Sequence, residues 1–335
     1  MSRRPVARGL LLAVAGATLF ALGWGGHAWW SRRTEPRAER RVHLGGYRLI
    51  SPLIDVELPE GNLPDNEPIP FEAKVASFVD EAVRSGKVRE MSVYYRDLLD
   101  GPWFGINEDR RYNPASMMKV PVMIAWLKRA ERDPGVLRQT FEFDERTYPG
   151  SDQVLSRERT LLPHGRYTVD ELLHHMLSYS DNRAMWLLFN GLRTEELNAV
   201  VASMDVSNER SGPDNSISVR GYSGFFRVLF NATFLDKAMS EKALELLALQ
   251  DFPRGIEAGV PRGVTVAAKF GETSPGPGGV LQLHEFGIVY HPRGPYILGI
   301  MTVGQDWGAQ ADILRDVSAL VYREVAAEGQ PTATR

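Results

Sequence analysis

Pro114-Ala115-Ser116-Met117-Met118-Lys119 opens an apolar run with helical spacing. A serine at the start of a helix lies beside unpaired backbone N–H groups, which favour developing negative charge. Lys119 is three residues further on, so it lies beside Ser116 on the same helix face. A serine becomes nucleophilic when a neighbour takes its proton, and a lysine does this only when burial or a second cation keeps it neutral. The pattern predicts a serine nucleophile with a lysine base, although such a serine can also be a simple N-cap.

A second polar motif, Ser180-Asp181-Asn182, follows a helix that begins with a capping box at residues 168–171. In the catalytic interpretation, Ser180 relays a proton to the leaving group. Asn182 then binds a substrate amide and positions Lys119, and Asp181 is structural. A turn that caps a helix is the alternative interpretation of the same three residues.

A third motif, Lys269-Phe270-Gly271, stands at the end of a predicted strand. Lys269 would bring positive charge that lowers the pKa of Lys119 and attracts a substrate carboxylate. Gly271 would let a substrate backbone approach the strand. A strand lysine whose stem lies along apolar surface is the structural alternative.

The elements between and around these motifs predict an α+β fold. Strands lie at both ends of the body and helices lie between them, which favours an antiparallel sheet with an inserted all-α lobe. Strands are predicted at residues 91–98, 103–106, 264–270, 281–291 and 296–303. Helices are predicted at residues 71–85, 197–204, 222–230, 240–249 and 309–325.

The order and context of the three motifs resemble the class A β-lactamase and penicillin-binding protein superfamily over about residues 71–325. The resemblance implies a five-stranded antiparallel sheet covered by terminal helices, with the site between the sheet and an α-helical lobe. It implies Ser116 as acylated nucleophile, Lys119 as general base and Ser180 as proton relay. It also implies substrate binding by Asn182, Lys269, Gly271 and Glu272, with an oxyanion hole from the N–H groups of Ser116 and Glu272.

Two departures from that family pattern concern specificity and turnover. Phe270 stands where the family has a hydroxyl residue that commonly binds the substrate carboxylate; Thr273 or Ser274 could compensate. The family's deacylating glutamate belongs to a Glu-x-x-Leu-Asn pattern, and the nearest sequence, residues 194–198, has threonine in its first position. Because hydrolysis of an acyl-enzyme needs a poised base, we expect acylation with slow deacylation.

Composition excludes several other classes of function. The 335 residues carry 39 Lys and Arg against 42 Asp and Glu, a net charge of −3, so a broad cationic nucleic-acid-binding face is not expected. The chain has no cysteine, which excludes disulfides, thiolate metal sites and cysteine nucleophiles. The pair His174-His175 does not place two ligands on one helix face. The chemistry predicted here needs neither a metal nor an organic cofactor.

The N-terminus carries a membrane signal. Residues 9–30 hold no charged side chain other than His27, and Arg3, Arg4 and Arg8 precede them. The run is long enough to cross a bilayer, and it favours a single-pass anchor over a cleaved signal peptide. We therefore expect segments at 1–30 (anchor or signal), 31–70 (extended linker), 71–328 (hydrolase domain) and 329–335 (disordered tail).

The expected substrates decide the expected location. β-Lactams and D-alanyl cell-wall peptides occur outside the bacterial inner membrane, so we expect a periplasmic or extracellular domain, although arginines flank both ends of the apolar run. Two other functions stay open. One is a non-catalytic cell-wall-binding module of the same fold, and the other is an esterase or amidase for another substrate. An ion pair between Glu272 and Arg220 is a further hypothesis.

Overall fold

The computed structural model describes residues 40–57, 69–99, 101–150, 155, 162–203, 216–273 and 279–327. The predicted membrane segment and C-terminal tail lie outside these ranges. Among the helices inside them, none combines the length and apolar character that a bilayer span requires. The internal contacts of the chain divide it into two units. The larger unit comprises Arg41–Asp55 and Asn66–Arg335, and the smaller unit comprises Met1–Arg40 and Val56–Asp65.

A five-stranded antiparallel sheet forms the centre of the larger unit and confirms the predicted fold class. Its strands in chain order are β3 (Glu90–Asp97), β4 (Trp103–Ile106), β9 (Val266–Glu272), β10 (Leu281–His291) and β11 (Gly294–Gly304). They lie side by side in the order β4-β3-β11-β10-β9, so β9 is an edge strand. The turn Pro292-Arg293 joins β10 to β11, as the sequence predicts, and Leu281 pairs with Gly304 at the far end.

Both faces of the sheet are buried, because alternate side chains of each strand enter two different apolar cores. On β11, Leu298 and Ile300 enter one core while Ile297 and Met301 enter the other. The first core is covered by the two helices from the ends of the body, α1 (Glu72–Arg84) and α8 (Trp307–Ala327). The second core belongs to the helical lobe.

Within the described residues, the lobe contains six α-helices and short strand pairs. The helices are α2 (Lys119–Arg132), α3 (Val169–Ser178), α4 (Asn182–Asn190), α5 (Thr194–Ser203), α6 (Val219–Phe230) and α7 (Lys237–Leu247). The strand pairs are β5 (Arg111–Tyr112) with β8 (Ile217–Ser218), and β6 (Thr140–Phe143) with β7 (Gly165–Thr168). The capping box predicted at Thr168 is present in full, with Glu171 as its partner. The sequence did not predict α4 or the short strands.

Residues 44–52, within the predicted linker, lie against the body. This segment follows β1 (Arg40–His43) and precedes β2 (Leu53–Glu57), and these two strands pair. Within it, Leu49 and Ile50 are buried. The interval 31–70 is therefore not an extended linker throughout, because this part of it joins the apolar core.

Candidate active site

Ser116 lies in a short 3₁₀ turn, Ala115–Met118, that continues directly into α2. Ala115 has a φ of 48°, in the left-handed region that residues other than glycine seldom adopt. The turn is held on both sides, because Asn113 Oδ1 accepts the N–H of Ala115 and the Tyr222 hydroxyl donates to the carbonyl of Met117. These contacts fix Ser116 at the start of the helix.

Lys119 is buried, and three oxygens lie within 2.8 Å of its Nζ atom. It lies 2.7 Å from Ser116 Oγ, 2.8 Å from the carbonyl oxygen of Ser180 and 2.6 Å from Asn182 Oδ1. The last two oxygens can only accept hydrogen bonds, so they take the two N–H bonds that a neutral amine retains. The lone pair of the neutral amine then points at Ser116. This geometry suits Lys119 to take the proton of the Ser116 hydroxyl.

Burial lowers the pKa of Lys119 to about 7. Desolvation disfavours the charged ammonium, and this effect outweighs the nearby carboxylates of Asp181 and Glu272, which favour it. A large fraction of Lys119 is therefore neutral at neutral pH, as a general base requires.

Ser180 lies between the two buried lysines. Its φ is 57°, and its Oγ atom accepts a hydrogen bond from Lys269 Nζ at 2.8 Å and lies 3.3 Å from Lys119 Nζ. Burial lowers the pKa of Lys269 well below its ordinary value, and the neighbouring Lys119 lowers it further. A hydroxyl between two amines can pass a proton from one side to the other.

Asp181 binds backbone N–H groups, and Asn182 begins α4. The Asp181 carboxylate accepts the N–H groups of Arg183 and Ala184 as an N-cap, and that of Leu162 at 2.7 Å. These bonds agree with the structural part expected of Asp181 from the sequence. Its chain neighbours Ser180 and Asn182 contact Lys119 on α2.

Gly271 lets the edge strand β9 approach the turn that carries Ser116. A Cβ atom at Gly271 would lie 2.7 Å from the carbonyl oxygen of Pro114 and 2.9 Å from Met117 Cγ. Close packing of the protein itself thus requires glycine here, which differs from the sequence hypothesis of room for a substrate backbone. Thr273 N–H donates to Gln282 in β10, so the N–H of Glu272 points to the opposite, outer edge of the strand.

Phe270 belongs to the core beneath the terminal helices. It is 2% exposed and stacks on Phe252 with ring centroids 4.3 Å apart. Its ring also borders the site, since its centroid lies 4.1 Å from Lys269 Nζ. Thr273 and Ser274 are the residues that could supply the hydroxyl that Phe270 lacks. Thr273 Oγ1 accepts the N–H of Gln282. Ser274 lies outside the described residues.

Glu272 and Arg220 do not pair. The Glu272 carboxylate accepts the N–H of Leu155, whereas Arg220 lies 3.9 Å from Asp109 and over the ring of Trp103. The hypothesis of an ion pair between them is therefore wrong, because Arg220 lies beside groups on the chain before Ser116. Glu272 lies closer to the chemistry, since its charge acts on both Lys119 and Lys269.

Glu196, an acid within the nearest match to the expected glutamate pattern, does not join the described site. Glu196 on α5 binds the guanidinium of Arg129, which lowers the pKa of its carboxyl to about 2. Asp205, Glu209 and Asp214 lie outside the described residues.

Sequence reasoning missed a buried histidine that supports the turn before Ser116. The Nδ1 atom of His284 accepts the N–H of Thr302, so Nε2 carries the proton and donates to the carbonyl of Asn113 at 3.1 Å. The side chain of Gln282 accepts the N–H of Asn113. These contacts join residues about 170 positions apart, so no local sequence pattern signals them.

A family sequence profile described as "Beta-lactamase enzyme family" matches residues 72–325, more than half of the chain. No curated protein matches the chain significantly.

Three solved structures illustrate the similarity of fold. A β-lactamase from Sphaerobacter thermophilus is 22% identical, with 79% of this chain and 100% of that chain covered and a TM-score of 0.66. A mutant of PBP-A in an acyl-enzyme complex with penicillin G is 20% identical, covering 78% and 98%, with a TM-score of 0.63. A β-lactamase from Chitinophaga pinensis is 18% identical, covering 75% and 98%, with a TM-score of 0.64. At these identities the similarity shows the fold alone.

Proposed function

The chain belongs to the β-lactamase enzyme family, and we propose that it is a serine acyl-enzyme hydrolase for β-lactams or D-alanyl cell-wall peptides, with slow deacylation. The observation that carries this proposal is the 2.7 Å contact between Lys119 Nζ and Ser116 Oγ, inside a site where Lys119 is 1% exposed. A buried amine next to a serine hydroxyl is the activated nucleophile that acyl transfer needs.

In the acylation step, Ser116 Oγ attacks the substrate carbonyl carbon while neutral Lys119 takes the hydroxyl proton. The carbonyl oxygen gains negative charge, and the N–H groups of Ser116 and Glu272 would stabilise it. The outward direction of the Glu272 N–H supports this second donor.

In the same step, the bond from the carbonyl carbon to the leaving nitrogen breaks. The proton held by Lys119 passes to Ser180 Oγ, and the proton of Ser180 passes to the departing nitrogen. The distance of 3.3 Å between Lys119 Nζ and Ser180 Oγ supports this relay. Lys269, which donates to the same Oγ, would hold Ser180 in place.

Deacylation requires a water molecule and a base, and we propose that this step is slow. The sequence lacks the Glu-x-x-Leu-Asn pattern, and Glu196 is engaged with Arg129. An acyl-enzyme that forms quickly and hydrolyses slowly would therefore accumulate.

Intact-mass spectrometry after exposure to benzylpenicillin tests the function. We expect the wild-type chain to gain the mass of one penicillin, and Ser116→Ala to gain none. Ser77→Ala, which changes an exposed serine on α1, is the matched control and should label like the wild type. Rapid loss of the drug without an adduct would contradict slow deacylation, and equal labelling of Ser116→Ala would contradict the nucleophile.

We also propose that the domain acts in the periplasm or outside the cell, attached through the N-terminal segment or released after its cleavage. The apolar run at residues 9–30 and the expected cell-wall substrates support this location. Fusion of a reporter that is active only outside the membrane should give signal, and signal confined to the cytoplasm would contradict the proposal.

A further inference from the structure

The chain that follows α7 connects two segments that meet at the site. The N–H of Asp251 donates to the carbonyl of Ser178 at 2.7 Å, at the end of α3 and two residues before Ser180. The preceding side chain, Gln250, contacts β9, where its Oε1 atom accepts the N–H of Phe270 at 2.5 Å. Two consecutive residues thus join the segment before Ser180 to the edge strand of the sheet.

The contact of Gln250 with β9 falls at the main chain from which Lys269 extends. The N–H of Phe270 belongs to the peptide bond that follows Lys269, and it lies on the outer edge of the strand, away from β10. The buried Nζ atom of Lys269 lies 2.8 Å from Ser180 Oγ and 2.8 Å from the carbonyl oxygen of Phe270. The position of that amine relative to Ser180 therefore depends on a stretch of main chain that Gln250 holds.

Glu285 fixes the other end of the Gln250 amide. It is fully buried on β10, where it pairs in register with Phe270. Its Oε1 atom accepts an N–H of Gln250 at 2.7 Å, and its Oε2 atom accepts the N–H of Ile256 at 2.6 Å. A Cβ atom at Gly255 would overlap Oε2, so the close approach of the chain favours glycine there. The carboxyl group is thus both enclosed and hydrogen-bonded.

Only one orientation of the Gln250 amide satisfies both of its neighbours. The backbone N–H of Phe270 needs an acceptor, which the amide oxygen supplies, and the carboxyl oxygen of Glu285 takes a donor, which the amide N–H supplies. Within the described residues, the hydrogen bonds of this pair reach the site through the backbone of Phe270 and not through Ser116 or the substrate-facing groups. An arrangement of this kind fixes geometry without taking part in the chemistry.

We propose that Gln250 and Glu285 are positioning residues for acylation, which hold the peptide bond after Lys269 so that its amine stays against Ser180. The inference rests on the proposed function and adds to it two residues outside the three motifs. A displacement of about 1 Å in a catalytic group can slow a reaction about a hundredfold. Loss of these hydrogen bonds should therefore slow acylation, although neither side chain reaches the reacting atoms.

Three variants test this pattern of donors and acceptors. Gln250→Met keeps the length of the side chain but removes both of its hydrogen bonds. Glu285→Gln replaces one accepting oxygen by an NH₂ group, so two donors face each other in every orientation of the two amides. The double variant Gln250→Glu with Glu285→Gln exchanges the groups. Its carboxylate at position 250 can accept from Phe270 and from position 285, and the amide oxygen at position 285 can accept from Ile256, so all three bonds are retained.

Stopped-flow acylation by a chromogenic β-lactam over a range of concentrations separates the limiting rate of acylation from the half-saturating concentration. We expect each single variant, Gln250→Met and Glu285→Gln, to lower the limiting rate about tenfold to a hundredfold. The half-saturating concentration should change less than about twofold, because neither residue binds the substrate. The double variant should acylate at a limiting rate within about threefold of the wild type, since the hydrogen bonds are restored together.

Ser318→Ala is the matched control for stability. Ser318 is buried on α8, and its Oγ atom donates to the carbonyl of Ile256 at 2.8 Å, so this variant removes a buried hydrogen bond from the same neighbourhood. It should lower the free energy of unfolding, measured with urea, but leave the limiting rate of acylation within about twofold of the wild type. An equal loss of rate in Ser318→Ala would overturn the proposal, because the effect would then be one of general stability.

A folded Gln250→Met variant with the limiting rate of the wild type would also overturn it. If Gln250→Met does not fold, Glu285→Gln and the double variant decide the question: a double variant that acylates no faster than Glu285→Gln would count against the inference. Failure of the proposed function has a different signature. If the wild type forms no acyl-enzyme, the acylation hypothesis is wrong and the positioning role falls with it. If the wild type and all the variants acylate equally fast, only the positioning role is wrong.

Discussion

At the scale of single residues, the chemistry of this site depends on how burial changes two lysines. An exposed lysine is protonated at neutral pH and cannot act as a base. Lys119 and Lys269 are both removed from water, and Lys119 further disfavours the charge of Lys269. Asp181 and Glu272 oppose this effect on Lys119, which leaves its pKa near neutrality.

The first prediction concerns the pH dependence of acylation. Because the neutral form of Lys119 is the reactive one, the rate of acylation should rise with pH and level off above a pH of about 7. Below that value it should fall about tenfold for each pH unit. Stopped-flow acylation with a chromogenic β-lactam at several pH values measures this profile.

A conservative variant provides the control for that profile. Lys119→Arg keeps a cation at this position that does not lose its proton, so we expect acylation to fall by a factor on the order of 100 to 10,000. A rate that is independent of pH between 5 and 9 in the wild type would contradict the assignment of Lys119 as the base.

At the scale of elements, strand β10 carries two adjacent buried groups whose protonation affects stability in opposite directions. Desolvation lowers the pKa of His284 to about 4 and raises that of Glu285 to about 7. His284 supports the turn before Ser116, while Glu285 binds the N–H of Ile256 and the side chain of Gln250. The folded state therefore favours the neutral form of each of these two side chains.

The second prediction is that His284 makes the fold sensitive to acid. Between pH 6.5 and about 4 the unfolded chain binds a proton at this histidine and the folded chain does not, so its contribution to the free energy of unfolding falls as the pH falls. The loss should reach up to about 3 kcal/mol. Urea unfolding at several pH values measures it, and the difference between the wild type and His284→Gln isolates the histidine.

The companion variant Glu285→Gln should change the pH dependence in the opposite sense. Between pH 7 and 4.5 the folded chain retains a proton on Glu285 and the unfolded chain loses it, so this group adds stability as the pH falls. If both variants unfold with the same pH dependence as the wild type, neither group titrates in the way that their burial implies.

At the scale of the whole molecule, the segment before the body is part of the folded unit that carries the site. The carboxylate of Glu241 on α7 accepts the successive N–H groups of Arg48, Leu49 and Ile50. The hydroxyl of Tyr290 on β10 donates to the carbonyl of Leu49. These contacts hold residues 48–50 against α7 and β10.

The third prediction is that one carboxylate holds this segment in place. Glu241→Ala leaves backbone N–H groups of residues 48–50 without their acceptor, so we expect the free energy of unfolding to fall by about 1–3 kcal/mol. Trypsin should then cleave after Arg48 faster than in the wild type.

Glu245→Ala is the matched control. Glu245 pairs with Arg48 on the surface, where both side chains are about half exposed or more, and such pairs contribute little. Equal destabilisation by Glu241→Ala and Glu245→Ala would show that negative charge on α7 holds the segment. It would contradict a specific contribution from the hydrogen bonds between Glu241 and the backbone N–H groups.

Features that depend on near neighbours along the chain could be predicted from the amino-acid sequence alone. The capping box at Thr168, the hairpin over residues 281–304 and the position of Lys119 one helical turn after Ser116 all follow from local rules of hydrogen bonding and periodicity. Those patterns also indicated the fold class, because strands lie at both ends and helices between. They did not predict α4 or the two- to four-residue strand pairs, which depend on distant partners.

The chemistry of the site depends on contacts that form only in the folded chain. The meeting of Lys119 with Ser180, the support of Asn113 by His284 and the stacking of Phe270 on Phe252 join segments that lie far apart in sequence. The reactivity of Lys119 comes from its removal from water, and no local pattern specifies which segments exclude that water. Burial and long-range contact are properties of the folded chain, which is why they set the pKa values of the two buried lysines.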